Sequence, residues 1–405
     1  MITILEGKER NLFKHHPWVF SGAMDASTVP EAAGVEKVVS HDGRFIAWGW
    51  YDKDSHIPLR LLSWKEDDMP DSSWWERSVR ESVLRRKSFF SDMSSSTNVF
   101  RIIHGEADLL PGLVADVYGR IVRMIVSARV AWDMRETVVR AIEGLLHPQM
   151  IILNTDSAFC AIEKLHEVVE YFQGGVRFTP AEKLPEMRIR EDGLYYGLVP
   201  GTGQKSGFYC DQRENRKRLE QYVKDAVVFD GCCYTGGFTL HALRGGCSKV
   251  DAFDSSADAI HRLLSNVRLN VELGVLPSSS LEKVTANKAD IFETLRSIPN
   301  NAYDVMILDP PKLAQTIKSL ESAKKAYKDL QPRNGTHPGL QPLVHLVKGV
   351  LCMPGRRVVD CPECEWIHAE MAQIPPEVRC RDFVNATVHW LPENYAKRTP
   401  PEIAS

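Results

Sequence analysis

The chain has 405 residues, with 50 Lys and Arg against 53 Asp and Glu, a formal charge of −3 at pH 7 and a sequence pI near 6.5. That length holds two or three domains with ample core, and the near balance of charge excludes a whole-molecule field that would gather nucleic acid, so any such contact has to be local. Nine cysteines, with no secretion signal in Met1 to Phe20 because Glu6, Lys8, Glu9, Arg10 and Lys14 interrupt it, predict reduced thiols in the cytoplasm; no apolar run reaches the roughly 18 residues of a membrane span.

Met1 to about Met69 reads as an all-β unit, with apolar runs at Val35 to Val39 and Phe45 to Tyr51 and turns at His41-Asp42-Gly43 and Asp52 to Asp54. Its local charge is 8 basic against 11 acidic. Ser72 or Ser73 can cap a helix that begins Trp74-Trp75-Glu76 and buries Trp75, Val79 and Val83 one turn apart. Arg77, Arg80, Arg85, Arg86 and Lys87 make its outer face cationic, a face that is either solvated or set against phosphate. Strand-like runs between Val99 and Val126 surround Glu106-Ala107-Asp108-Leu109-Leu110-Pro111-Gly112-Leu113, a tight turn. A helix over Trp132 to Leu146 and strands at Met150 to Asn154 and Glu167 to Phe172 complete a small α+β domain. Met187 to Arg190 and Leu194 to Val199 flank a hairpin turn, Glu191-Asp192-Gly193. The predicted organisation is therefore a β-rich domain over 1–71, a central α+β domain over 72–190 and an α/β domain over 191–405.

The last of these is organised around Val227 to Leu240, VVFDGCCYTGGFTL: an apolar run, a glycine-rich turn and a helix start, the place where an open α/β sheet admits a ligand. Lys249 to Asp254, Val284 to Asp290 and Tyr303 to Leu308 read as the following strands, with a helix over about Ala257 to Leu273. Four strand ends in order carry an acid: Asp230, Asp254, Asp290 and Asp309. Each alone could be a helix cap; as a series they suit a ligand, with Asp254 placed to accept both hydroxyls of a ribose. The turn lacks the G-x-G-x-x-G of a pyrophosphate site, so acids and close backbone suit a cofactor without phosphate.

These residues resemble class I S-adenosylmethionine (SAM) methyltransferases, whose fold is a doubly wound, Rossmann-like α/β sheet. The resemblance implies that Asp230, Tyr234, Gly236, Asp254 and Asp290 hold SAM, and Asp309-Pro310-Pro311-Lys312 is similar to the motif of enzymes that methylate nucleobases, with Asp309 orienting the base. Gly7 to Arg10, His16 to Gly22, Gly49, Tyr51, Ser55 and Arg60-Leu61-Leu62 resemble the PUA domains of RNA-modifying enzymes, a β-rich barrel that implies RNA binding. The turn Gly105 to Leu113 and the stretch GQKSGFYCDQRENR over 203–216 resemble a bacterial large-subunit 23S rRNA cytosine-C5 methyltransferase family. Ser206, Tyr209 and Cys210 are mild departures, and the resemblance implies that Lys205, Phe208 and Asp211 border the cofactor pocket. It also implies a homodimer acting on rRNA.

The similarity extends through Lys325-Ala326-Tyr327-Lys328-Asp329-Leu330, in a stretch from Lys312 to Arg333 with six basic and two acidic side chains. Beyond Leu330 the chain departs from the family, whose serine-flanked cysteine position falls, counted without gaps from Pro354, on Glu363. A shift of one or two residues brings Cys361 or Cys364 there, Cys361 first because it ends the Val358-Val359 strand. Either would be the thiolate that adds to carbon 6 of cytosine. Cys361-x-x-Cys364 with His368 also has a zinc-like look, but one close pair falls short of a structural site. Two other functions fit the same residues: methylation of a base nitrogen, which needs no cysteine, and a ribosome-assembly factor that binds SAM and RNA without turnover.

Overall fold

The computed structural model describes residues 1–90, 96–200, 207–299, 302–311, 322, 325–326, 340–344 and 389–392. They fall into two compact units, Met1–Gly193 with Leu198–Cys210, and Leu194–Gly197 with Asp211–Ser405.

In the first unit β1 (Ile2–Thr3), β2 (Trp18–Val19), β3 (Gly34–Val39), β4 (Phe45–Tyr51) and β5 (Leu59–Ser63) form a sheet in the order β1-β3-β4-β5-β2. β1 runs parallel to β3, and the other pairs are antiparallel. β3 and β4 coincide with the two longest predicted runs. Their inward residues, with Ile2, Ile4, Leu12, Leu59 and Leu61, close one hydrophobic core.

After it come α1 (Ser72–Phe90), β6 (Val99–His104), β7 (Leu113–Tyr118), β8 (Ile121–Val126), α2 (Arg129–Asp133), α3 (Arg135–Leu146), β9 (Met150–Thr155), α4 (Ser157–Glu163), β10 (Val169–Gln173) and β11 (Val176–Phe178). The six strands make one sheet, β11-β10-β9-β8-β7-β6, antiparallel except where β8 meets β9. α1 buries Trp74, Trp75, Val79 and Val83 in the core of this sheet, as its helical spacing requires. Two details depart from expectation. The cap of α1 is Asp71, whose Oδ1 accepts from the Trp74 amide at 2.8 Å, one residue before the serines. The helix expected over Trp132 to Leu146 is split at Met134, which leaves the helical well at φ −93°, ψ 1°.

The cationic face of α1 is largely committed to carboxylates of its own unit. Arg77 pairs with Asp68, while Arg85 and Arg86 converge on the buried Asp108. Asp108 also accepts the His104 amide, and Glu106 of the same turn accepts Trp18 Nε1 at 3.0 Å and Arg60 Nη1 at 3.1 Å. The other arm of Arg60 reaches Glu163 Oε1 at 3.0 Å, and Ser55 donates to Glu163 Oε2 at 2.7 Å. Arg129 reaches back to Asp52. Gly112 closes the turn at φ +70°, where a Cβ would stand 2.3 Å from that of Ala128. The acids of this turn therefore fasten the five-stranded sheet and α1 to the six-stranded sheet.

The boundary between units falls in a two-stranded ribbon, β12 (Met187–Glu191) and β13 (Leu194–Leu198). The second unit continues with α5 (Arg213–Leu219), β14 (Val227–Gly231), α6 (Gly237–Arg244), β15 (Lys249–Asp254), α7 (Ala257–Glu272), β16 (Val284–Lys288), α8 (Ile291–Ser297) and β17 (Val305–Leu308), and later β18 (Leu340–Val344) paired antiparallel with β19 (His389–Pro392). β14 to β17 form an all-parallel sheet in the order β16-β15-β14-β17. Helices follow its strands in the alternation that builds a Rossmann-like sheet. Phe229 of β14 stacks on Phe253 of the adjacent β15 at 4.9 Å and meets the edge of Tyr303, just ahead of β17, at 5.2 Å.

Because Glu163 is buried, removing its partner strands a charge, whereas the exposed Arg77 pair is screened by water. Arg60→Ala should cost about 3–5 kcal/mol of stability and Arg77→Ala less than about 1 kcal/mol, read from urea unfolding midpoints at constant slope.

Candidate functional site

The strand order turns back at β14: the chain steps outward to β15 and β16, then returns to place β17 on the other side. Ligands of open α/β sheets enter at this switch point, beyond the carboxyl ends of the strands. Register carries the acids there together. Gly231 stands opposite Phe253 and Leu308, so Asp254 and Asp309 each follow a partner of the residue after Asp230. The Asp309 amide donates to Gly231 O at 3.3 Å.

Asp230 is buried, and its Oδ2 accepts from Thr239 Oγ1 at 2.6 Å. Its Oδ1 is buried without a hydrogen-bond partner. Burial above all, with the nearby charges of Asp309 and Asp254, pushes this carboxyl up to about 7, against the Thr239 bond that lowers it. The turn after it visits left-handed backbone three times, at Cys232, Tyr234 and Gly236. Gly236 has no substitute: at φ +86° a Cβ would also lie 2.7 Å from Leu263 Cγ. Asp254 holds the turn in place, its Oδ2 accepting the Tyr234 amide and its Oδ1 the Ser256 amide, both at 2.9 Å. Each carboxylate oxygen has a second lone pair for a further donor such as a ribose hydroxyl.

The other expected residues are placed less uniformly. Asp290 is exposed and caps α8, its Oδ1 accepting the Phe292 and Glu293 amides. Asp211 is exposed in the short turn Cys210–Gln212, and its neighbour Gln212 is the residue buried toward Asp309. Phe208 is buried and falls with the first unit. Lys205, Lys312, Cys361 and Cys364 lie outside the described residues.

Three contributors had no sequence signal strong enough to single them out. Thr239 orients Asp230. Asn266 on α7 donates to Thr235 O at 2.9 Å and accepts the Gly197 amide at 2.8 Å, tying the cofactor turn to β13. His241 is buried on α6 with Nδ1 at 2.6 Å from Glu220, which also pairs with Arg244. Burial pushes His241 down to about 4 despite the carboxylate, so it is neutral at pH 7 and serves to dock α6 against α5. An orphaned buried carboxyl oxygen, a ribose-ready acid and a turn without room for a Cβ fit SAM, a cationic cofactor with a ribose and no phosphate. Among the described residues no cluster of His, Cys, Asp and Glu could hold a metal ion.

Two outcomes follow from this geometry. Gly236→Ala should weaken SAM binding by about 1–3 kcal/mol, and pairing it with Leu263→Ala should recover part of that loss, measured by calorimetry as a double-mutant cycle. Asp230 binds a proton in the folded state at pH values where an unfolded aspartate has lost it, so its contribution to stability is full below about pH 4 and disappears as pH rises through about 7. The ligand-free melting temperature should therefore fall more steeply between these values in the wild type than in Asp230→Asn.

Comparison with known proteins gives the family. Residues 2–64 match the PUA-like domain family and residues 141–331 the S-adenosylmethionine-dependent methyltransferase family. The ribosomal RNA large subunit methyltransferase I of Tolumonas auensis is 31% identical over 333 residues, 81% of this chain and 80% of its own. That of Escherichia coli strain SMS-3-5 is 32% identical over the same shares. Among solved structures, a Streptococcus mutans protein assigned as a SAM-dependent methyltransferase superposes with a TM-score of 0.66 at 15% identity, covering 96% of this chain and all of that one. Another, a methyltransferase complexed with S-adenosylhomocysteine, does so at 0.66 and 14%, over the same shares. With a PUA-like sheet ahead of a parallel-sheet domain whose central strands end in acids at the switch point, the chain belongs to the ribosomal RNA large subunit methyltransferase I family of SAM-dependent methyltransferases.

Proposed function

We propose that this enzyme methylates carbon 5 of a cytosine in 23S rRNA. The observation that carries the reading is Asp309, which begins Asp309-Pro310-Pro311 and leaves β17 hydrogen-bonded to Gly231, beside the acids assigned to the cofactor. A carboxylate there can accept from the exocyclic amino group of a cytosine extruded from the RNA fold. Its relatives are named for methylation of large-subunit rRNA, and the PUA-like sheet supplies a second RNA-binding element.

SAM supplies an electrophilic methyl group, but carbon 5 of cytosine is too weak a nucleophile to take it unaided. The thiolate of Cys361 or Cys364 adds at carbon 6, forming an S–C bond and moving the ring π pair onto carbon 5. Carbon 5 would then take the methyl group as its bond to the sulfonium sulfur breaks and S-adenosylhomocysteine is released; a base removes the carbon-5 proton and the thiolate leaves, restoring the aromatic ring. Asp230, Asp254 and Asp290, with Tyr234 and Gly236 in the turn, are the residues assigned to SAM, and Lys205, Phe208 and Asp211 to the border of its pocket. The same reading places the enzyme in the cytoplasm as a homodimer. Its nine cysteines suit a reducing compartment, and no described helix is long and apolar enough to cross a membrane.

Incubation with methyl-labelled SAM and 23S rRNA from cells lacking the activity, followed by nucleoside mass spectrometry, should place the label in 5-methylcytidine. Label on a base nitrogen would keep the cofactor site and discard the thiol. One of Cys361→Ser and Cys364→Ser should lower turnover by at least about a thousandfold, as loss of a nucleophile does, with SAM affinity unchanged; full activity in both would remove this pair from the mechanism.

A further inference from the structure

Gln212 is fully buried just ahead of α5, although its neighbours Asp211 and Arg213 reach the surface. Its amide is held at both ends: Asn215 Nδ2 donates to Gln212 Oε1 at 2.7 Å, and Gln212 Nε2 donates to Asp309 Oδ1 at 3.2 Å. A side-chain amide has one accepting and one donating end. Asn215 engages the accepting end, so the donor is presented to Asp309. We infer that Gln212, oriented by Asn215, is a positioning residue that holds Asp309 ionised and accepting, and thereby selects cytosine over uracil at the target.

The chemistry is one of donor and acceptor. The exocyclic group of cytosine is an amino donor, whereas uracil offers a carbonyl acceptor at the same place. An ionised carboxylate accepts only; a protonated one also donates and would suit uracil. Asp309 shares the switch point with two other carboxyl groups, Asp230 on β14 and Asp254 on β15. From the turn before α5 it meets a neutral donor, and a hydrogen bond to the charged form favours that form. Gln212 also lies three residues from Asn215, the spacing at which side chains meet along a helical turn, so the relay is local and preassembled.

The inference rests on the proposed role of Asp309 and is tested so that the two fail separately. Transcripts of 23S rRNA carrying either cytosine or uracil at the labelled nucleotide would be assayed for kcat/KM with the wild type, Gln212→Leu, Gln212→Glu and Asp309→Asn. Gln212→Leu should lose about tenfold to a hundredfold on cytosine, keep its SAM affinity and show a smaller cytosine-to-uracil ratio. Gln212→Glu should lose as much near pH 8, where two carboxylates repel, and regain about tenfold near pH 6, where the introduced carboxyl takes up a proton and can donate to Asp309 again. A wild-type rate and ratio in Gln212→Leu, with Asp309→Asn inactive, would overturn the positioning role and leave that of Asp309 standing. Full activity in Asp309→Asn would overturn the reading beneath it. Should Gln212→Leu fail to fold, absence of low-pH recovery in the near-isosteric Gln212→Glu overturns the inference by itself.

Discussion

The hydrogen bond from Thr239 to Asp230 joins the end of the central strand to the first turn of the helix that follows, and the second unit is arranged around it. A carboxyl group kept from water costs free energy unless it is neutral or partnered. Here one oxygen has a fixed donor and the other has none, and burial answers that cost by raising the carboxyl to about 7, within reach of protonation. The turn between strand and helix then has little freedom. It must cross between them within a few residues, and it does so through left-handed backbone at Cys232, Tyr234 and Gly236. Strain of this kind persists where surroundings over-determine it, and Asp254, Asn266 and Leu263 do so from three sides.

The first unit uses polar contacts differently. Its two sheets are fastened by Arg60 between Glu106 and Glu163, with Trp18, Ser55 and Arg129 as further donors. Such a junction gives little net stability compared with apolar packing, but it is geometrically exacting and fails sharply when one partner is lost. It also accounts for the charge of this unit. Three of the arginines that look available for phosphate from the sequence alone, Arg77, Arg85 and Arg86, are engaged with Asp68 and Asp108.

Much of the second unit was legible because buried parallel strands are written as apolar runs, and a run that stops at an acid marks both a strand end and a polar group at the rim of the sheet. Thus Val227 to Asp230 and Lys249 to Asp254 could be placed within a residue or so. The same rule could not tell Asp290, which caps a helix, from Asp230, which does not, since both follow a strand. It also drew attention to Asp211 rather than Gln212. Charge is conspicuous in a sequence, whereas a buried amide has meaning only through partners about three and a hundred positions away. Thr239, His241 and Asn266 were missed for the same reason. The spacing of Gln212 and Asn215 was the available signal, hidden within a motif read for its family likeness. The break at Met134 had no signal in the apolar pattern, which runs through it unaltered.

Asn270 shows what a helix can do for a strand. Its Oδ1 accepts the Tyr195 amide, and its Nδ2 donates to the Tyr195 carbonyl and to Asn266 O, while Asn266 takes the Gly197 amide one ladder step further. Two side chains of α7 thus imitate a neighbouring strand, meeting Tyr195 with both donor and acceptor and Gly197, two residues on, with an acceptor. An unpaired strand edge invites addition of a strand from another molecule. At Tyr195 and Gly197 that invitation is withdrawn by amides rather than by charge or proline, so this edge of β13 is closed to an added strand without the usual protective residues.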